Sequence, residues 1–260
     1  MPLVTLLTDF GTRDVYVGVM KGAIARINPA LRVIDLTHHI PPQDVAAARF
    51  NLMNAVPYFP AGTVHVAVVD PGVGSERRAI ALQTAQGYLV GPDNGIFDGV
   101  LQMGGAIAGV ELTNPIYWRD PNPSDTFHGR DLFAPAAAHL ASGVPLAKLG
   151  RAVDLASLVT LALPSWQRQG CCITGCIQYL DHFGNAVTTI PQGAIAGQAW
   201  RVEVAEHSLP GHTTYSAVAV GEPLALVGSH GLIELAVNSG SARENLQLHV
   251  GDRVAVWCAS

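Results

Sequence analysis

Four segments concentrate the residue types that move protons or hold polar ligands. They are Thr8-Asp9-Phe10-Gly11, Asp70-Pro71-Gly72-Val73-Gly74-Ser75-Glu76-Arg77-Arg78, Gly91-Pro92-Asp93-Asn94-Gly95 and Thr126-Phe127-His128-Gly129-Arg130-Asp131. A carboxylate can accept a proton from a nucleophile, a guanidinium can stabilise developing negative charge, and an imidazole can do either. Each segment also has a plainer reading. Asp9 can cap the backbone that follows it. Asp70-Pro71-Gly72 and Pro92-Asp93-Asn94-Gly95 are good turn chemistry. A lone histidine such as His128 is more often a hydrogen-bonded core residue than a catalyst. Only their joint placement at one edge of a sheet would give them weight.

Other chemistries fit less well. Gly72-Val73-Gly74 lacks the third glycine and the helix start of a dinucleotide fingerprint, and no Gly-Lys-Ser/Thr phosphate loop is present. Asp9, Asp70, Asp93 and His128 would make an oxygen-rich metal set, but their separations match no ligand spacing. A metal-dependent phosphoesterase therefore stays a minority reading. Cys171, Cys172, Cys176 and Cys258 show neither a CxxC spacing nor a nearby histidine pair, so they read as small packed hydrophobes rather than zinc ligands.

The elements that must position these loops alternate through residues 1–165. Leu3–Thr8 reads as a buried strand, Asp14–Asn28 as a helix stopped by Asn28-Pro29, and Arg32–Thr37 as the next strand. A helix is expected over Asp44–Phe59 despite Pro57, and a strong strand over Thr63–Asp70. Two more strands flank Gly87, and another helix covers Leu132–Ala141. Such alternation predicts an α/β domain with a Rossmann-like sheet, whose ligands gather at the C-terminal strand ends. Residues 166–260 change character. Short strands separated by Gly, Asn and Pro, with no good amphipathic helix, predict a smaller all-β barrel.

Composition narrows the partners. Of 260 residues, 49% are apolar, enough for a large core, and 13% are charged. Sparse charge fits either a surface hidden in an oligomer or a long Ala- and Val-rich core. The net charge of −5 and the absence of a basic run argue against nucleic acid and anionic membranes. No apolar run reaches the roughly 18 residues of a spanning helix. The start, Met1-Pro2-Leu3-Val4-Thr5, has no charged leader, so a cytoplasmic location is expected.

Taken together, LLTDFGTRDVYVGVMKG, VIDLTHHIPPQDV, FPAGTVHVAVVDPGVGSERRA, VGPDNGIF, TFHGRDLFAPAAAHLA, LDHFGNAVTT and GSHGLIELAVNSG resemble the S-adenosylmethionine hydroxide adenosyltransferases, relatives of the enzymes that fluorinate or chlorinate the same substrate. The resemblance spans nearly the whole chain, with DPGVGxxR and TFHGRD its most specific parts. It implies the α/β-plus-barrel fold and a homotrimer with active sites between subunits. It also implies hydrolysis of S-adenosylmethionine to adenosine and methionine without cofactor or metal. Asp70, Arg77 and His128 match the set that marks the hydrolytic branch. By the same likeness Asp9 would hold the ribose hydroxyls, Asp181 and Asn185 would lie near the methionine portion, Ser229 and His230 would line the site, and Asn238 would lie near the adenine. Two departures stand out. Gln43 falls near an aromatic of some halogenating relatives, and His39 stands where an acid is more usual. A halide adenosyltransferase and a non-catalytic nucleoside-binding protein remain the alternatives.

The residues suggest how the chemistry would run. A sulfonium leaves as a neutral thioether and needs no acid, so the nucleophile is the hard part. Asp70 can accept the proton of water in the transition state. A paired arginine weakens a carboxylate as a base, so Arg77 is better suited to stabilising a hydroxide-like oxygen. His128 orients the water or shares its proton. A pre-formed hydroxide held by all three is the other version. Gly72, Gly74 and Gly129 are expected to let backbone approach the ligand.

Overall fold

Thr63–Val68 (TVHVAV) is buried at every position, its Thr63 and His65 included, as a strand covered on both faces must be. The computed structural model describes residues 3–195 and 199–258, and the chain divides into two units, Met1–Leu161 and Ala162–Ser260. The first holds, in chain order, β1 (Leu3–Thr8), α1 (Tyr16–Ile27), β2 (Arg32–Thr37), α2 (Val45–Ala55), β3 (Thr63–Val68), β4 (Ala79–Gln83), β5 (Gly87–Pro92), α3 (Asp98–Gly104), β6 (Ala108–Glu111), α4 (Ala134–Ala141) and β7 (Arg151–Ala152). The sheet order is β2-β1-β3-β5-β4-β6-β7. β2, β1, β3 and β5 run parallel, while β4 is antiparallel to β5 and β6. The sheet is thus Rossmann-like on one side and mixed on the other.

Side-chain alternation divides the sheet's two faces. Val4, Leu6, Val64, Val66 and Val68 join Met20 and Ile24 of α1 and the alanines of α4 in one core. Small residues at nearly every position of α4 let it sit close to α1 and the strands. α2 starts where Asp44 accepts a hydrogen bond from Ala47 N at 2.9 Å, a side-chain N-cap.

Several boundaries differ from the sequence reading for local reasons. α1 begins at Tyr16, two residues late. The α2 helix ends at Ala55, and Val56–Tyr58 continues as a tighter 3-10 turn around Pro57, which has no N–H to give. The segment before α4 is a π-turn over Gly129–Phe133 rather than a plain helix start at Leu132. Helix α3, seven residues closed by two glycines, and strand β6 escaped the pattern because each is too short to show a period.

The second unit holds β8 (Gln167–Gln169), β9 (Cys172–Leu180), β10 (Ala186–Pro191), β11 (Trp200–Val204), β12 (His207–His212), β13 (Pro223–Val227), β14 (Leu232–Val237), α5 (Ala242–Asn245) and β15 (Arg253–Cys258). The order β10-β14-β13-β12-β11-β15-β9 closes through a β10–β9 pairing, giving a seven-stranded barrel with β8 added outside β9. Inward residues recur at every second position: Ile173 and Ile177, Val202 and Val204, Ile233 and Leu235, Val254 and Val256. The expected all-β barrel is present. Cys176 and Cys258 are buried, and all four cysteines are free thiols.

One polar pair lies inside the first unit's sheet. Thr5 and His65 face each other across β1 and β3, with Thr5 Oγ1 2.8 Å from His65 Nδ1. Burial pushes the His65 imidazole down to about 4. The fold favours the neutral ring, so the unfolded chain takes up the proton first as pH falls. This contribution is therefore complete above about pH 6.5 and is lost on the way down to about pH 4. Urea unfolding should show a loss of up to about 3 kcal/mol across that range, and His65→Gln should remove that part of the acid sensitivity. An identical acid profile in the variant would refute the assignment.

Candidate functional site

The parallel strands end at the edge where three of the four sequence-flagged loops meet. β1 sends the chain to β2 on one side and is flanked by β3 on the other. Strand order therefore reverses between β1 and β3, the place where open α/β sheets form a crevice. Asp9 follows β1 and Asp70 follows β3. β4 runs the opposite way, so the residues that precede it, Arg77 and Arg78, return to the same edge.

Arg77 joins two of the loops. Its Nε donates to Asp70 Oδ1 at 2.9 Å and its Nη2 donates to Asp70 Oδ2, a side-on bidentate pair. The same Nη2 donates to His128 Nδ1 at 2.7 Å. The Arg77 and Asp70 side chains are only 10% and 6% exposed, so the pair is shielded enough for its geometry to matter. The Phe133 ring lies 5.4 Å from the Arg77 guanidinium carbon.

The histidine's state follows from its partner. An arginine only donates, so Nδ1 of His128 must be the acceptor. Burial first, then the adjacent Arg77 charge, pushes this imidazole below its ordinary value. The ring is neutral near pH 7 and carries its proton on Nε2. Among the described residues nothing is hydrogen-bonded to that Nε2–H.

Asp9, Asp70 and His128 line a cleft of about 670 Å³, and Arg77 links the last two. Asp9 Oδ2 accepts a hydrogen bond from Gln43 N at 2.8 Å. Gln43 holds a left-handed backbone, φ 66°, which costs a non-glycine residue energy. Its side chain borders the cleft where the resemblance placed an aromatic. His38, not His39, is the buried histidine here; it bonds Thr8 Oγ1 at 2.8 Å while His39 is exposed.

Sequence reading overlooked the aromatic wall. Phe127 packs edge to face with Phe10 and Tyr16, which are tilted against each other, with all centroids 5.3–5.9 Å apart, and all three border the cleft. The signal was present, since Phe10 adjoins Asp9 and Phe127 adjoins His128. The glycines also lie close to neighbouring protein segments. Gly74 is left-handed, φ 77°, and a Cβ there would stand 2.6 Å from Asp125 O. A Cβ on Gly129 would meet Phe127 and Met20. These glycines let protein segments touch one another.

Asp93 is not part of this wall. Its Oδ2 accepts from Arg78 Nε at 2.8 Å and its Oδ1 from Val159 N at 2.9 Å, while Arg78 also bonds Ser157. The Asp93 loop thus ties residues 154–161 to the sheet edge. Among the described residues no group of three or more His, Cys, Asp or Glu side chains is placed to hold a metal ion.

The candidates in the barrel form their own local networks. Asp181 Oδ1 accepts from Phe183 N and Asn185 N at 2.9 and 2.8 Å, and its Oδ2 from Asn185 Nδ2 at 2.9 Å. Leu232 N donates to His230 Nδ1 at 3.2 Å, so the ring's other nitrogen, 3.1 Å from Glu234 Oε2, is the donor. Glu234 is buried and also accepts from Tyr215 Oη at 2.7 Å. An acid inside the apolar strand LIELAV was the available hint for it. Asn238 Nδ2 donates to Val218 O at 2.8 Å, and Ser229 is exposed.

Comparison with known proteins agrees across both units. Residues 4–150 match the SAM hydroxide adenosyltransferase N-terminal domain and residues 175–255 the C-terminal domain of the same family. The (R)-S-adenosyl-L-methionine hydrolase of Salinispora tropica is 44% identical over 256 residues, 98% of this chain and 97% of that protein. The one from Thermus thermophilus is 42% identical over 258 residues, 95% of this chain and 96% of its own length. A crystal structure of an uncharacterized conserved protein from Thermotoga maritima superposes with a TM-score of 0.91 at 36% identity, over 98% of this chain and 99% of that one. With both units matched and relatives this close over nearly their full length, the chain belongs to the SAM hydroxide adenosyltransferase family.

Proposed function

We propose that this protein hydrolyses S-adenosyl-L-methionine to adenosine and L-methionine. Family membership supports the reading, and the observation that carries it is Arg77 bridging Asp70 and His128 in the wall of a cleft of about 670 Å³. The related hydrolases are named for the (R) sulfonium epimer, and we take that epimer as substrate here.

The reaction replaces one bond by another. Water oxygen attacks the ribose C5′, the C5′–S bond breaks, and its electron pair stays on sulfur as the thioether of methionine. The water proton passes to Asp70, whose two oxygens each keep a lone pair after accepting from Arg77. Arg77 stays charged and offsets the negative charge that builds on the attacking oxygen. His128 offers its Nε2–H to that oxygen, so it is a donor and Asp70 is the base. Asp9 accepts from the ribose hydroxyls, which holds C5′ in line; orientation of this kind supplies up to about 7–11 kcal/mol. Within the same reading Asp181, Asn185, Ser229 and His230 serve the methionine end and Asn238 the adenine, in a homotrimer with sites between subunits.

Asp70→Asn keeps the shape of the side chain and removes the base. It should lower kcat about 10²–10⁴-fold while adenosine still binds, as read by product chromatography and calorimetry. Wild-type turnover in this variant would refute the role of Asp70, and a 5′-halo nucleoside formed in chloride or fluoride would refute water as the nucleophile. The pH profile has a definite sign. Protonating His128 would put a hydrogen on Nδ1, facing a group that only donates. Its depressed value places the acid limb of kcat below pH 6.5. An acid limb above pH 6.5 that disappears in His128→Asn would contradict this assignment.

A further inference from the structure

Arg130 and Asp131 lie two and three residues after His128, yet neither has a part in the proposed chemistry. Asp131 is completely buried, at 0% exposure. Its carboxylate accepts from Arg119 Nε, from Arg130 Nε at 2.7 Å and Nη2 at 2.8 Å, and from Ser124 N at 2.9 Å. Burial opposes its charge, but the hydrogen bonds from Arg130, Arg119 and Ser124 outweigh it and hold the carboxyl well below the usual carboxylate range. Its backbone is used as well: Arg119 N donates to Asp131 O at 2.9 Å, and Asp131 N donates to Phe127 O at 3.2 Å.

One residue thus closes residues 119–131 into a ring through its side chain and both backbone groups. The cleft-facing part of that ring is Thr126, Phe127, His128 and Gly129. Arg130 extends the grip, since its guanidinium lies 5.1 Å over the Phe127 ring while bound to Asp131. The turn that carries Asp131 is the π-turn Gly129–Phe133, a distortion that recurs at functional sites. We propose that Asp131, clasped by Arg119 and Arg130, is a positioning residue: it sets where His128 and Phe127 stand in the cleft, so that Nδ1 of His128 meets Arg77. The inference rests on the hydrolytic reading given above.

Two full-length variants test it. Arg119 is 35% exposed, and its loss leaves Arg130 on Asp131, so Arg119→Ala should stay folded. Asp131→Asn keeps the shape and removes the charge. A misplacement of about 1 Å can cost roughly 10²-fold in rate, so kcat should fall about 10-fold in Arg119→Ala and about 10²-fold in Asp131→Asn, with smaller changes in KM. Nitrogen NMR of the His128 ring should show the single Nε2–H tautomer of the wild type giving way to a mixture. A lowered thermal midpoint with unchanged kcat and unchanged His128 signals would overturn the proposal and leave Asp131 a stabilising charge. If the wild type failed to hydrolyse S-adenosylmethionine, the hydrolytic reading would fall, and the His128 signals in the two variants would still decide the clasp. If Asp131→Asn did not fold, Arg119→Ala would decide alone.

Discussion

Arg77 can only give hydrogen bonds, and that one-sidedness fixes the states of the residues around it. Asp70 must meet it as an acceptor and His128 must meet it with a bare Nδ1. A carboxylate, a guanidinium and a neutral imidazole sum to no net charge, which limits the cost of shielding them from water. A shielded pair still repays its desolvation only with good geometry and further hydrogen bonds. The bidentate Asp70 contact and the His128 contact supply both. The site's protonation pattern therefore follows from its connectivity.

Connectivity of this kind needs distant segments to arrive together, and the mixed sheet provides it. With an all-parallel order, the residues before β4 would lie at the opposite edge. The antiparallel turn of β4 brings Arg77 and Arg78 back beside the strand ends that carry Asp70 and Asp93. Consecutive residues of an extended chain point opposite ways, so the two arginines divide the work. Arg77 turns to Asp70 and His128, while Arg78 turns to Asp93 and Ser157. Gly74 sets the remaining distance, because its backbone lies against Asp125 with no room for a Cβ. The loop bearing Arg77 and the loop bearing His128 are thereby held in direct contact.

Much of this was legible in the residues. Most of the longer strands of both units were readable from their composition and periodicity, while β6, β7, β8 and β12 were not, and the change of character near residue 165 separated the α/β part from the barrel. The loops with Asp9, Asp70, Arg77 and His128 each read singly as a cap, a turn or a core histidine, and stood out only because the strand order would gather them at one sheet edge. Asp93 looked equivalent in sequence and is not, since loop composition cannot say which way a carboxylate faces. Gly74 and Gly129 were legible as sites of close approach, but a missing Cβ does not name the protein segments, Asp125 for Gly74 and Phe127 and Met20 for Gly129, that lie against them. Glu234, Asp131 and the Phe10–Tyr16–Phe127 wall gain their meaning from which partners their side chains meet, and spacing alone does not say that.

Two histidines show how far a single backbone or side-chain donor reaches. His128 receives Arg77 on Nδ1 and His230 receives Leu232 N–H on the same atom. Each neutral ring must then carry its hydrogen on Nε2. His230 directs that hydrogen to the buried Glu234, which Tyr215 also binds. That ring is held between the Leu232 N–H and Glu234. His128 has one side anchored and the other facing the cleft, so the same tautomer becomes a donor aimed at whatever oxygen arrives there. The two imidazoles therefore share a tautomer and differ in what the second nitrogen meets: a carboxylate for His230, the cleft for His128.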